Sequence, residues 1–174
     1  MLVKWLRTNR IASGILTVLR LWLGYTWITS GFEKLTRGFQ AEGFLKGALT
    51  KTTGAHADVQ GWWGSFIQGF ALPHAKLFDV LIPWAEFLIG LALILGLLTT
   101  FAALMGIIMN YAFLFSGTTS INPQLVLIAT FILVAGRNAG FFGLDYFAMP
   151  LVDKWLHRDN ELRLFREKGK TKAS

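Results

Sequence analysis

An arginine near the middle of an apolar run constrains this chain more than any other feature. The run is Ile15–Leu35, ILTVLRLWLGYTWITSGFEKL, and it holds Arg20. A helix needs about 20 mostly apolar residues to cross a bilayer, and this run supplies them. An ionisable group at that depth costs roughly 2.5–3.5 kcal/mol even on lenient scales. It persists only with a partner or in a water-filled niche, so the rest of the chain must answer Arg20. Glu86, in the next apolar segment, is the candidate partner.

More than half of the 174 residues are hydrophobic and few are charged. Four apolar segments predict spans at about 11–31, 78–98, 101–116 and 123–144. The expected fold is all-α, an integral membrane four-helix bundle over residues 1–149 with a long first extracytoplasmic loop. Residues 150–174 read as a basic cytoplasmic tail with a short surface helix, its Leu151, Trp155, Leu156 and Leu162 turned inward. The connection over 36–76 reads as polar. Trp62 and Trp63 in it suit a membrane interface, or a lid over a cavity. Pro83 falls in the first turns of span two, where a missing backbone donor costs least. Thr99 and Thr100 make a turn short enough to force spans two and three antiparallel.

Arginine and lysine set orientation. The side of the termini carries Lys4, Arg7, Arg10, Arg137 and the basic tail, and the second loop carries none. The opposite side carries Lys34, Arg37, Lys46, Lys51 and Lys76. The bias predicts a multi-pass plasma-membrane protein with both termini cytoplasmic. Arg20 and the lack of a small-residue cleavage site make the first segment an expected uncleaved anchor, not a signal peptide.

The net charge of +7 belongs to these flanks. No basic-aromatic module marks nucleic-acid binding, and none is expected. There is no cysteine, which removes disulfides, thiol catalysis and cysteine-ligated metals. His56, His74 and His157 fall outside the spans, so no intramembrane pair can ligate a haem, and no metal site is expected. A redox role would need a diffusible or borrowed cofactor, with none covalently bound.

Depth supports the pairing of Arg20. It lies roughly 16 Å below Gly31, and Glu86 roughly 12 Å below Phe78, at about 1.5 Å per residue. An Arg20–Glu86 ion pair is therefore predicted. One reading makes it a register pin between spans. The other makes it the tentative catalytic pair of a polar pocket, walled by Trp27 and Tyr111. Arg20, Gly24, Trp27 and Gly31 share one face of span one, and Glu86 and Gly90 share one of span two. The glycines Gly24, Gly31 and Gly90 let helices approach closely. Gly106, Asn110, Phe113 and Gly117 share a face of span three. Asn110 suits an interhelical hydrogen bond or a ligand. Arg137 reaches the headgroups or pairs with Asp145. A quinone head group would suit the pocket, because its carbonyls accept hydrogen bonds and its reduction consumes protons.

Three stretches carry a family likeness: LRLWLGYTWITSGFEKL (19–35), WAEFLIGLALILGLLTTFAALMG (84–106) after the Pro73 region, and GRNAGFFGLD (136–145). In their order and spacing the chain resembles the DoxX family of small bacterial and archaeal membrane proteins. That family includes relatives of the DoxD small subunit of thiosulfate:quinone oxidoreductase. The resemblance implies a four-helix membrane bundle and important positions at Arg20, Gly31, Lys34, Glu86 and Asp145. With Lys34 added, the substrate-binding candidates are Trp27, Lys34, Asn110 and Tyr111. Gly24, Gly90 and Arg137 complete the structural set. The long first loop and basic tail depart from a minimal member. The expected function is a membrane subunit or partner of a quinone-linked oxidoreductase, with thiosulfate as one donor. The alternatives are a non-catalytic scaffold or assembly factor and a small-solute carrier. The carrier is disfavoured because no repeat or pair of broken helices marks the halves.

Overall fold

The computed structural model describes residues 1–54 and 57–154. Among the described residues the chain is helical, with no strand. A short helix α1 (Leu2–Thr8) leads into α2 (Arg10–Arg37), and Asn9 lies between them. The Asn9 side chain accepts hydrogen bonds from the N–H groups of Ile11 and Ala12 at 2.8 and 3.2 Å, which caps α2. Three helices follow in the apolar part: α5 (Ala75–Leu95), α6 (Thr99–Phe115) and α7 (Asn122–Ala135). Asn122 opens α7 with Pro123 in its first turn, where the missing donor is harmless. A 3₁₀ turn, Gly136–Gly140, extends α7. Residues 145–154 are helical and are labelled α8.

Among the described residues, three segments are long and apolar enough to cross a membrane: α2, α5, and α7 with its 3₁₀ extension. The fourth, α6, is apolar but shorter. The major packing pairs are α2 with α5 and α6 with α7, joined by α5 with α6 and α2 with α7. Leu16, Leu23, Trp27, Leu93, Ala103 and Ile132 are among the residues buried between them.

The α2–α5 crossing is built on glycine. A Cβ at Gly24 would lie 2.9 Å from the Gly90 carbonyl, and one at Gly31 would lie 2.8 Å from the Phe87 Cα. A side chain on Gly90 would meet the backbone of Ile28. The two helices run antiparallel, with Gly31 opposite Phe87 and Gly24 opposite Ile94.

The first loop is not a polar connection. It folds into α3 (Ala41–Leu49), a 3₁₀ turn (Thr50–Thr52), α4 (Gly61–Phe66) and a π-turn (Ile67–Ala71). Ala41, Leu45, Ala48, Ile67 and Ala71 form a second buried cluster. Asp79 accepts from the Ala41 N–H at 2.6 Å and so ties the start of α3 to α5. Trp63 donates its indole N–H to the Ser116 hydroxyl at 2.9 Å, and Lys51 donates to the Gly117 carbonyl at 2.8 Å. These bonds fasten the whole segment as a cap over one end of the long helices.

Element ends differ from the sequence reading. Helix α2 runs on to Arg37, and α5 begins at Ala75. Pro83 is therefore inside α5 rather than in its first turns. Its carbonyl lies 2.9 Å from where a Gly31 Cβ would be. In the tail, Leu151 is exposed and not turned inward. Trp155, Leu156 and Leu162 lie outside the described residues.

Candidate functional site

The register of α2 on α5 decides which charges meet. Gly31 faces Phe87, so Lys34, one turn further along α2, comes level with the turn that carries Glu86. Its ammonium reaches both carboxylate oxygens of Glu86, at 2.7 and 2.6 Å. The Glu86 side chain is 2% exposed and that of Lys34 is 27% exposed. The pair is buried on the Glu86 side and open on the Lys34 side.

The expected Arg20–Glu86 pair is not formed. Arg20 lies against Gly96, at the far end of α5, roughly 15 Å of helix rise from Glu86. The depth estimate failed because Gly31 and Phe78 are not level. Helix α2 continues past Gly31 to Arg37, and the first turns of α5 stand up into the cap, where Phe78 packs on the cap core.

Arg20 is 1% exposed and belongs to a second polar cluster. Its Nη2 donates to the Phe142 carbonyl at 2.9 Å. Its Nε and Nη1 have no hydrogen-bond partner. Asp145 accepts from the Leu98 and Thr99 N–H groups at 2.7 and 2.9 Å. A carboxylate there caps α6 and complements its positive N-terminus. The Leu144 and Asp145 N–H groups donate to the Leu95 and Gly96 carbonyls at 3.0 and 2.7 Å. Residues 142–145 thus satisfy both helix ends at the α5–α6 turn, which would otherwise carry orphaned groups in an apolar setting. Arg137 does not pair with Asp145. It makes a two-pronged contact with Asp153 on α8, at 2.7 and 2.6 Å.

Around Lys34 and Glu86 lies a cleft of about 250 Å³. Helix α2 contributes Thr26, Trp27 and Ser30, and the cap contributes Phe39 and Phe44. Phe113 from α6, the turn residues Thr118 and Ser120, and Asn122 and Leu125 from α7 close the other side. The Lys34 ammonium stands 5.8 Å from the ring centres of both Phe39 and Phe113, within cation–π range. Chemically the cleft offers one ammonium donor, one carboxylate, several hydroxyls and flat aromatic walls. It is suited to a planar group with hydrogen-bond acceptors at its edge.

The other proposed residues separate. Trp27 is buried and lines the cleft, with its indole N–H unpartnered. Asn110 is fully buried, and neither its amide nor its carbonyl group has a partner. It lies one turn along α6 from Gly106, which packs on the Trp27 ring. Tyr111 is a correction: it is 44% exposed on the outer surface, stacked on Phe115, and does not line the cleft. Phe39 and Phe44 were missed in the sequence because their segment was read as polar. The spacing of Ala41, Phe44, Leu45 and Ala48 is a helical stripe that could have revealed them. Among the described residues no group of three His, Asp or Glu side chains is placed to hold a metal ion.

The DoxX family model matches residues 15–119, more than half of the chain. The match takes in Arg20, Lys34, Glu86 and Asn110. Comparison with curated proteins and with solved structures returns no match.

Proposed function

Since the chain belongs to the DoxX family and is a membrane protein in contact with lipid, we propose that it is a membrane subunit or partner of a quinone-linked oxidoreductase. In this reading α2, α5, α6 and α7 form a four-helix bundle in the plasma membrane. The basic residues of α1 and the Arg137 turn lie on the cytoplasmic side, and the cap lies outside. The Lys34–Glu86 cleft takes the quinone head group. Thiosulfate is one donor class such a partner would oxidise.

The observation that carries the reading is a buried carboxylate held by a half-open lysine among aromatic walls. A volume of about 250 Å³ is just below the ~300 Å³ at which pockets for drug-sized ligands begin. It fits one substituted ring. A quinone there would be reduced by two electrons from the partner enzyme and would need two protons. Lys34 would donate a hydrogen bond to a ring carbonyl oxygen, and Glu86 would take up protons one at a time through the solvent-open Lys34 side and pass both on. The aromatic walls would fix the plane in which the ring lies and exclude water. Arg20, outside the cleft, is assigned to structure.

Native mass spectrometry of the gently extracted protein tests this. Wild type should retain a quinone, and Glu86→Gln should lose it while still folding. A protein that keeps no quinone yet co-purifies with a soluble partner would favour the scaffold function instead.

A further inference from the structure

The cleft is too small for more than a head group, and the structure places an apolar groove directly behind its wall. The groove runs between α5 and α6 on their outer faces. Its main part, about 480 Å³, is lined by Ile82, Ala85, Ile89, Met105, Met109 and Ala112 among others. Leu81, Leu88 and Ile108 on its rim are more than half exposed, so it opens towards lipid. A smaller cavity of about 190 Å³ beneath the cap shares Phe78, Ile82, Ala112 and Phe113 with it. That cavity also shares Phe44 and Phe113 with the Lys34–Glu86 cleft. Phe44 and Phe113 meet edge to face, with ring centres 5.8 Å apart. The Phe44–Phe113 pair thus stands between the polar cleft and the cavity that adjoins the lipid-facing groove.

We infer that cleft and groove are two halves of one site for an amphiphile. The polar head sits at Lys34–Glu86 and a single long hydrocarbon tail lies along α5–α6. The head arrives from the bilayer past the Phe44–Phe113 pair. This rests on the quinone reading above and adds to it a tail subsite, a lateral route and a gate. The occupant is a long-tailed, membrane-dissolved quinone and not a short-chain or water-soluble one. The groove suits a tail because it is apolar and follows α6 from Phe101 to Phe113, roughly 18 Å of rise. It also reaches Phe113, which lines the Lys34–Glu86 cleft.

Bulk lipid would also cover an apolar groove, so the test must separate the two. The probe is a quinone carrying a photoactivatable group near the end of its tail, applied to the full chain in lipid nanodiscs. Crosslinks should concentrate on the Met105–Ala112 stretch of α6 and on Ile82–Ile89 of α5. Unlabelled long-tailed quinone should reduce them at least tenfold, and the tailless ring should do so less. Ala112→Trp, and separately Ala85→Trp from the opposite wall, should abolish this labelling. The tailless ring should still bind both variants, read as an adduct by native mass spectrometry. Labelling spread evenly over other lipid-facing residues such as Leu127, with no competition, would overturn the tail subsite. So would equal labelling of the groove by a photoactivatable phospholipid that quinone does not displace. In either case retention of the tailless ring, lost in Glu86→Gln, would leave the quinone reading standing. If neither tailed nor tailless quinone binds wild type, both fall.

Discussion

Glu86 is almost fully buried and depends on one ammonium, that of Lys34. Removing one member of a buried pair leaves a charge without compensation, typically at a cost of roughly 3–5 kcal/mol. Lys34 is partly open to solvent, so Lys34→Met should fall at the lower end of that range. The double variant Lys34→Met/Glu86→Gln should recover most of the loss, as measured by unfolding in detergent. An Arg20→Met variant should not be rescued by any change at Glu86, because the two belong to different clusters. Asp145→Asn keeps the size of the side chain but replaces one acceptor oxygen with a donor, facing the Leu98 or Thr99 N–H. It should cost about 1–3 kcal/mol, with the midpoint of thermal unfolding as the readout.

At the scale of elements, the glycines of α2 and α5 set the register that brings Lys34 to Glu86. Gly90→Ala would place a methyl group against the Ile28 backbone. Overpacking of this kind typically costs about 1–3 kcal/mol, and the shift should also weaken quinone retention. Gly14→Ala, with open space around it, is the control and should leave both unchanged. In the cap, Trp63→Phe removes the bond to Ser116 and should speed tryptic cleavage at Lys46 and Lys51 severalfold. The helices themselves were legible in the sequence, because long apolar runs and short turns admit little else. The charge pairing was not. It depends on which turns of two helices stand level, and hydropathy blurs span ends by several residues. Lys34 falls just past the expected end of span one, so it reads as an orienting cation and a substrate-binding candidate and not as the partner of Glu86. The cap was hidden for a related reason: its helices are short and mixed with glycine, threonine and charge, and only their inward stripe is apolar.

Over the whole molecule, charge and shape divide into two ends. One end carries the cap and the Lys34–Glu86 cleft. The other carries α1, the Gly136–Gly140 turn and α8; Arg137 ties α8 to the turn through Asp153, and Asn138 ties the turn to α1. Its amide donates to the Leu6 and Asn9 carbonyls at 2.7 and 3.0 Å. Arg7 closes the same end by donating to the Val134 carbonyl at 2.9 Å. The chain has no native cysteine, so single introduced thiols report sidedness cleanly. Gly43→Cys on the cap should react with an impermeant maleimide added to intact cells, and Leu2→Cys should react only after lysis. The reverse pattern would invert the proposed orientation.

The 142–145 segment also has a consequence in time. The ribosome delivers α5 and α6 well before the residues that meet their ends at the turn. Until the stretch beyond Gly140 emerges, the Leu95 and Gly96 carbonyls and the Leu98 and Thr99 amides await the partners they have in the finished protein. Nascent chains stopped short of Asp145 should therefore be engaged by membrane quality control, and release should come only when that short stretch has docked.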